Sequence, residues 1–282
     1  MSSPAELGLL SAWRDTSGLT EAKAREHAAR LELRARAEDE AAAREEYLDL
    51  LGLSRGERVL DVGCGSGVVT RAIAPRVLPA GTVVGADSSP ALLALAHEYA
   101  EAAGLGTIEW HVADCRELPF ADASFDAVIA ATVLAHVPDA ERALAEMVRV
   151  TQRGGRVAVF DFDGDGFLFT HPDRQLTRRI VAAQCDHGAV NGQWIREMPG
   201  LLESLGVRNV KAKAFMPLER DPKGFYADFA KRAARNAAQV GAISESELAG
   251  WLEQFEGVLQ TGRFVGGRLQ LFVWGERSQA AG

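Results

Sequence analysis

Arg58-Val59-Leu60-Asp61-Val62-Gly63-Cys64-Gly65-Ser66-Gly67 is the stretch that decides the fold. A short apolar run stops at three closely spaced glycines, and a helical segment, Val68 to Val77, follows. The same alternation continues outward. Gly81 to Asp87 reads as a strand ending in an acid, and Pro90 opens a helix to about Ala103, where its missing N–H costs nothing. Ile108 to Asp114 is a third strand, again ending in Asp, and Phe125 to Ala131 a fourth. Ala140 to Val150 is helical, and Arg156 to Asp161 is a fifth strand. Parallel strands need crossovers, and crossovers of this length are helices. The expectation is an α/β protein with a doubly wound sheet. Such sheets bind ligands at the carboxyl ends of their strands, where these acids lie.

The flanks are mostly helical. Residues 21–52 carry leucines and alanines at helical spacing among Arg and Glu, which predicts two helices, either a solvated amphipathic pair or a lid. Helices are expected from Asp173 to Leu205, over 222–240, and from a capping box at Ser244 and Glu247 to about Leu259. Val207 to Phe215 and Gly266 to Trp274 read as strands. Three parts follow: an N-terminal helical lid over 1–52, a ligand-binding core over 53–162, and substrate-side helices with the final strands over 163–282.

The 282 residues are 47% hydrophobic and 25% charged, enough for one large domain. A net charge of −8 argues against a nucleic-acid partner. No apolar run approaches the ~20 residues that span a bilayer, so no membrane partner is expected. The first residues, Met1 to Glu6, have neither the basic start nor the apolar core of a signal peptide. Cys64, Cys115 and Cys185 form no CxxC pair, so neither a disulfide framework nor a metal site is expected, and a reducing cytoplasm is the simplest setting.

The glycine turn reads GxGxG, not the GxGxxG of dinucleotide folds. Asp61, just before it, would repel a pyrophosphate but suits a ligand carrying an ammonium or sulfonium group. Asp87 can accept from both ribose hydroxyls. Asp114 can accept from an exocyclic amine such as adenine N6.

This combination resembles the class I S-adenosylmethionine-dependent methyltransferases, most closely the small-molecule subgroup that includes quinone and sterol methyltransferases. Val59 to Gly67 matches their first motif, and Asp87-Ser88-Ser89-Pro90 the acidic ribose position. Asp114 to Phe120 matches the adenine side, Ser124 to Val128 the fourth strand, and Arg149 to Val157 the turn before the fifth. The matches run in order over residues 58–161. The resemblance implies a Rossmann-like, seven-stranded sheet with S-adenosyl-L-methionine as cofactor and S-adenosyl-L-homocysteine as product. Gly63, Gly65 and the Cys64 backbone would approach the methionine moiety, with Asp61 drawing its ammonium. Asp87 and Ser88 would hold the ribose, Asp114 and the Cys115 backbone the adenine, and Thr132 the amino-acid end.

For the chemical step, His136 follows the fourth strand, although the acid that often precedes this histidine in the family is Ala135 here. Asp163 is the second candidate. The run Asp161-Phe162-Asp163-Gly164-Asp165-Gly166 imitates a calcium loop, but its twelfth position is Pro172 and its context is strand then loop. Strand alternation puts Asp161 and Asp163 on one side, with Asp163 nearer the mouth. Tyr47, His187 and Trp194 are candidate substrate-pocket residues; the resemblance implies for Tyr47 a closure over the methionine end.

The expected activity is methyl transfer to a C, N or O atom of a small aromatic, heterocyclic or terpenoid-like metabolite, as in secondary metabolism. The alternatives are a non-methyl-transfer reaction on the same cofactor and a protein methyltransferase. A base-amine methyltransferase would carry Asn-Pro-Pro-aromatic after the fourth strand, where this chain has Ala131-Thr132-Val133-Leu134. A homodimer is a further option, through the insertion Leu218 to Arg263.

Overall fold

The computed structural model describes residues 13–279. Two helices, α1 (Glu21–Arg36) and α2 (Glu38–Leu51), precede the sheet. Thr20 caps α1 by accepting from the Lys23 N–H, and Gly52 ends α2 in the left-handed conformation. The core follows as β1 (Arg58–Val62), α3 (Val68–Val77), β2 (Thr82–Asp87), α4 (Pro90–Ala102), β3 (Glu109–Val112), β4 (Phe125–Ala131), α5 (Ala140–Val150) and β5 (Thr151–Phe169). Then come α6 (Arg174–Gly188), α7 (Met198–Ser204), β6 (Val207–Phe215), β7 (Leu218–Glu219), α8 (Phe225–Gln239), α9 (Glu245–Gln260) and β8 (Gly266–Arg277). The reciprocal bonds of the Ser244–Glu247 capping box open α9.

The strands lie in the order β3-β2-β1-β4-β5-β8-β6. The first five are parallel, and β8 runs antiparallel between β5 and β6. This path has the expected seven strands; the two-residue β7 pairs with the start of β8 as an eighth. The order reverses between β1 and β4, which opens the crevice where such folds bind ligands.

Central strands are apolar on both faces because helices cover both. Leu60, Val62, Val84, Val128 and Val157 pack on one side with Leu144, Met147 and Leu202. Val59, Val83, Ile129 and Phe160 pack on the other with Leu48, Leu51 and Ile73. A third apolar cluster joins α6, α8 and α9 to Phe162, Phe167 and Phe169. These phenylalanines belong to an extension of β5 that differs from expectation. Past Phe160 the strand loses its β4 partner but stays paired with β8 as far as Phe169, with a shift in register between Phe162 and Phe167. The core therefore does not end at residue 162; one strand continues through it. Among the described residues, no helix is long and apolar enough to cross a membrane.

Candidate active site

The three acids meet at the carboxyl edge of the sheet. Gly63, at the end of β1, has φ +68°, and its N–H and that of Cys64 donate to the Ala86 carbonyl at 2.7 and 3.0 Å. A Cβ on Gly63 would lie 2.5 Å from Val133 Cγ1, so only glycine fits. The turn brings the Gly65 N–H to Asp87 Oδ2 at 2.9 Å, while the Ser89 N–H donates to Oδ1 at 2.9 Å. Two backbone donors thus fix the Asp87 carboxylate, leaving each oxygen further accepting capacity. On β1, Asp61 accepts from the Thr70 hydroxyl of α3 at 2.6 Å.

Asp61 and Asp87 are 1% and 7% exposed, and neither has a Lys or Arg within ion-pair distance among the described residues. Burial pushes the Asp61 carboxyl up to about 7, against the Thr70 hydrogen bond and reinforced by the nearby Asp87 charge. Burial also raises Asp87, opposed by the N–H groups of Ser89 and Gly65. Two buried acids without a cation fit a ligand that brings its own positive charge. Cys64 and Cys115 line the same space as neutral thiols; burial lifts Cys115 to about 12 and Cys64 well above its ordinary value. Asp114 is engaged differently. It lines the cavity, but Arg116 pairs with its carboxylate at 2.6 Å and holds its pKa below the ordinary value. Ser88 meets the N-terminal segment through Thr16, hydroxyl to hydroxyl at 3.0 Å.

These groups line one end of a cavity of about 1420 Å³. The N-terminal segment and α1 also line it, through Trp13, His27 and Arg34 among others, so α1 takes a lid position. Thr132, after β4, sits at the middle with φ +59° and accepts from Arg34 Nη2 at 3.2 Å. His136 ends a 3₁₀ turn, Leu134–His136, and is half-buried on the cavity wall; its ring lies 5.6 Å from that of Phe162. Its Nδ1 has no hydrogen-bond partner among the described residues. Burial, then the charges of Arg268 and Arg34, lower its pKa to about 4. At neutral pH it is therefore an uncharged acceptor or donor and a weak base.

The other expected residues lie outside the cavity. Asp163 is buried, but Arg196 holds it with two bonds of 2.5 and 2.6 Å and the Asp165 N–H donates to it at 3.0 Å. A carboxylate so saturated is a structural anion, not a base facing an acceptor. Its neighbour Asp161 likewise accepts from the backbone of Ala135 and Phe162. Tyr47 packs in the core between Phe160 and Phe272, with ring centroids 4.4 and 5.4 Å away, because the apolar side of α2 lies on the sheet. Trp194 packs against the opposite core cluster. On α6 the cavity is lined by Gln184 and Gly188, one turn apart, and His187 lies off that line. The structure supplies instead Arg34, Phe162, Phe225 and Arg268. Arg268 had a sequence signal: the one charge in Gly266 to Trp274, a stretch whose only other polar side chain is Gln270.

The strand order, the switch point and the glycine turn define the class I methyltransferase fold. Residues 60–159 match the family model of the methyltransferase domain, and the chain carries a domain of the class I S-adenosylmethionine-dependent methyltransferases. It is similar to Methyltransferase GfsG of Streptomyces halstedii, 32% identical over 165 residues, which are 58% of this chain and 57% of that one. It is also similar to a ubiquinone/menaquinone biosynthesis C-methyltransferase of Idiomarina loihiensis, 38% identical over 116 residues, 41% of this chain and 46% of the relative. The chain thus spans about half the length of these relatives. The crystal structure of the YcgJ protein of Bacillus subtilis shares the fold, with a TM-score of 0.61 at 16% identity, over 85% of this chain and all of that one.

Proposed function

We propose that this protein transfers a methyl group from S-adenosylmethionine to a C, N or O atom of a small, largely apolar metabolite. The observation that carries the reading is the pair of buried acids, Asp61 and Asp87, facing a cavity with no cation of their own. S-adenosylmethionine supplies a methyl group already activated on a positively charged sulfur. The residues' task is to bind, align and desolvate. Asp87 receives the ribose hydroxyls on the accepting capacity that Gly65 and Ser89 leave free. Asp61 and the Gly63–Gly65 turn receive the methionine end, with Thr132 beside it. Asp114 and the Cys115 backbone border the adenine side, Asp114 sharing its charge with Arg116.

The cavity exceeds the roughly 300–1,000 Å³ of ordinary small-molecule pockets, which leaves room for an acceptor beside the cofactor. Phe162, Phe167, Phe225 and Phe229 line it and suit an aromatic, heterocyclic or terpenoid-like body. The C-methyltransferase of quinone biosynthesis among the relatives supports a small-molecule acceptor. His136, neutral at pH 7, orients the nucleophile through a hydrogen bond; a group titrating near 4 is a poor proton acceptor for an alcohol.

Calorimetric titration of S-adenosylhomocysteine tests the reading. Wild type binds, and Asp87→Ala binds about 150-fold more weakly or worse, since two hydrogen bonds to a charged group are lost at about 1.5 kcal/mol or more each. Equal binding by the two proteins, or none by either, would sink it.

A further inference from the structure

Arg268 is 3% exposed, lines the cavity from β8, and has no hydrogen bond to Nε or Nη2 among the described residues. Its nearest acid, Glu40 on α2, is 4.0 Å away and already committed. Glu40 accepts from the Tyr226 hydroxyl at 2.6 Å and from Gln270 Nε2 at 3.1 Å, and its other oxygen lies 3.8 Å from Arg34 Nε. Within ion-pair distance the cluster therefore sets two guanidinium groups, both on the cavity wall, against one carboxylate; Asp161 lies farther off and feels both charges. Gln270 adds an orphaned acceptor, Oε1. A buried guanidinium cannot shed its proton, and leaving its donors unmet is costly unless something fills the place.

The unmet atoms have a definite shape. Nε–H and Nη2–H point the same way along one edge of the guanidinium, the fork that takes both oxygens of a carboxylate. The guanidinium carbon lies 5.0 Å from the Phe162 ring centroid and 5.8 Å from that of Phe225. Phe162 also meets His136, so the fork, an aromatic wall and the neutral imidazole share one region.

We infer that Arg268 is an anchor for a carboxylate on the methyl acceptor, drawn to its guanidinium with the acceptor's apolar body against Phe162 and Phe225. The inference rests on the methyltransferase reading only in calling the ligand an acceptor. It makes Arg268 a specificity-determining residue: a neutral analogue leaves the same donors unmet and is rejected.

The test is calorimetry with 1-naphthoate and its neutral counterpart 1-naphthamide, on the full chain, with and without saturating S-adenosylhomocysteine. Wild type is expected to bind the carboxylate at least tenfold more tightly than the amide. Arg268→Met, of similar volume, loses that preference while its S-adenosylhomocysteine affinity stays within twofold. Equal binding of the two probes by wild type, binding of neither, or an undiminished preference in Arg268→Met overturns the anchor. The wild-type comparison stands even where the variant does not fold. A preference for naphthoate without any binding of S-adenosylhomocysteine keeps the anchor and removes the methyltransferase reading.

Discussion

One end of the cavity is acidic and the other basic, and the two are assembled differently. At the cofactor end, Asp61, Gly63, Gly65 and Asp87 come from the ends of adjacent strands, β1 and β2, and the turn after β1; the Gly63 N–H donates to Ala86 and the Gly65 N–H to Asp87, which tie that turn to β2. At the far end, Arg34, His136, Phe162, Phe225 and Arg268 come from α1, a turn after β4, the extension of β5, α8 and β8. They meet mainly through side chains. The first end holds two buried acids without a cation, which suits the cationic ligand proposed for it. The second is a cationic, aromatic wall whose free donors await an anionic one. Opposite charge at the two ends helps to keep the two ligands from exchanging places.

The largest expected effect breaks the acidic end. Gly63→Ala forces a Cβ into Val133 at a left-handed backbone position. It should cost about 2–4 kcal/mol in denaturant unfolding, by backbone strain plus overpacking, and weaken S-adenosylhomocysteine binding with it. Unchanged stability would mean that the turn is not pinned as described. Next comes the residue that sequence reasoning placed in the site. Asp163→Asn should lose about 1–2 kcal/mol, because the partner Arg196 is 46% exposed and solvent screens the pair. Its S-adenosylhomocysteine affinity should stay within twofold; a large fall would return Asp163 to the site.

An effect that changes with pH sharpens the charge contrast. Asp61 titrates near 7 in the fold and Asp161 near 6, both raised by burial above the ~3.9 of an unfolded chain. The folded protein therefore holds these protons more tightly than the unfolded chain does. Their contribution to stability falls as pH climbs from about 4 through 7. Asp114 and Glu247, held below their ordinary values, act in the opposite sense at lower pH. The measurable quantity is the difference in Tm between wild type and Asp61→Asn: the variant gains relative to wild type as pH rises from 5 to 8. A constant difference over that range would show that Asp61 is not a buried, raised acid.

Most of the fold was legible because each element has a local cause. Ser89 and Pro90 start α4, Ser244 and Glu247 start α9, and β6 spans the expected Val207–Phe215. β5 was read too short. Gly164 and Gly166 look like a loop, and pairing with β8, with its register shift, carries the strand past them. The same limit explains Asp163. Strand alternation placed it on the side of Asp161, but alternation cannot reveal that Arg196, 33 residues on, takes its charge. Tyr47 shows the converse: a helical position gives a face, and only packing decides whether that face meets a cavity or Phe160.

By itself the sequence determined the doubly wound sheet, the glycine turn and which acids stand at the strand ends, because periodicity and turn chemistry act over a few residues. Only the tertiary structure decided which acids lack a cation, that His136 is neutral, and that Arg34 and Arg268, 234 residues apart in the chain, face one carboxylate. Those properties depend on burial and on contacts between distant segments, and no local pattern encodes them.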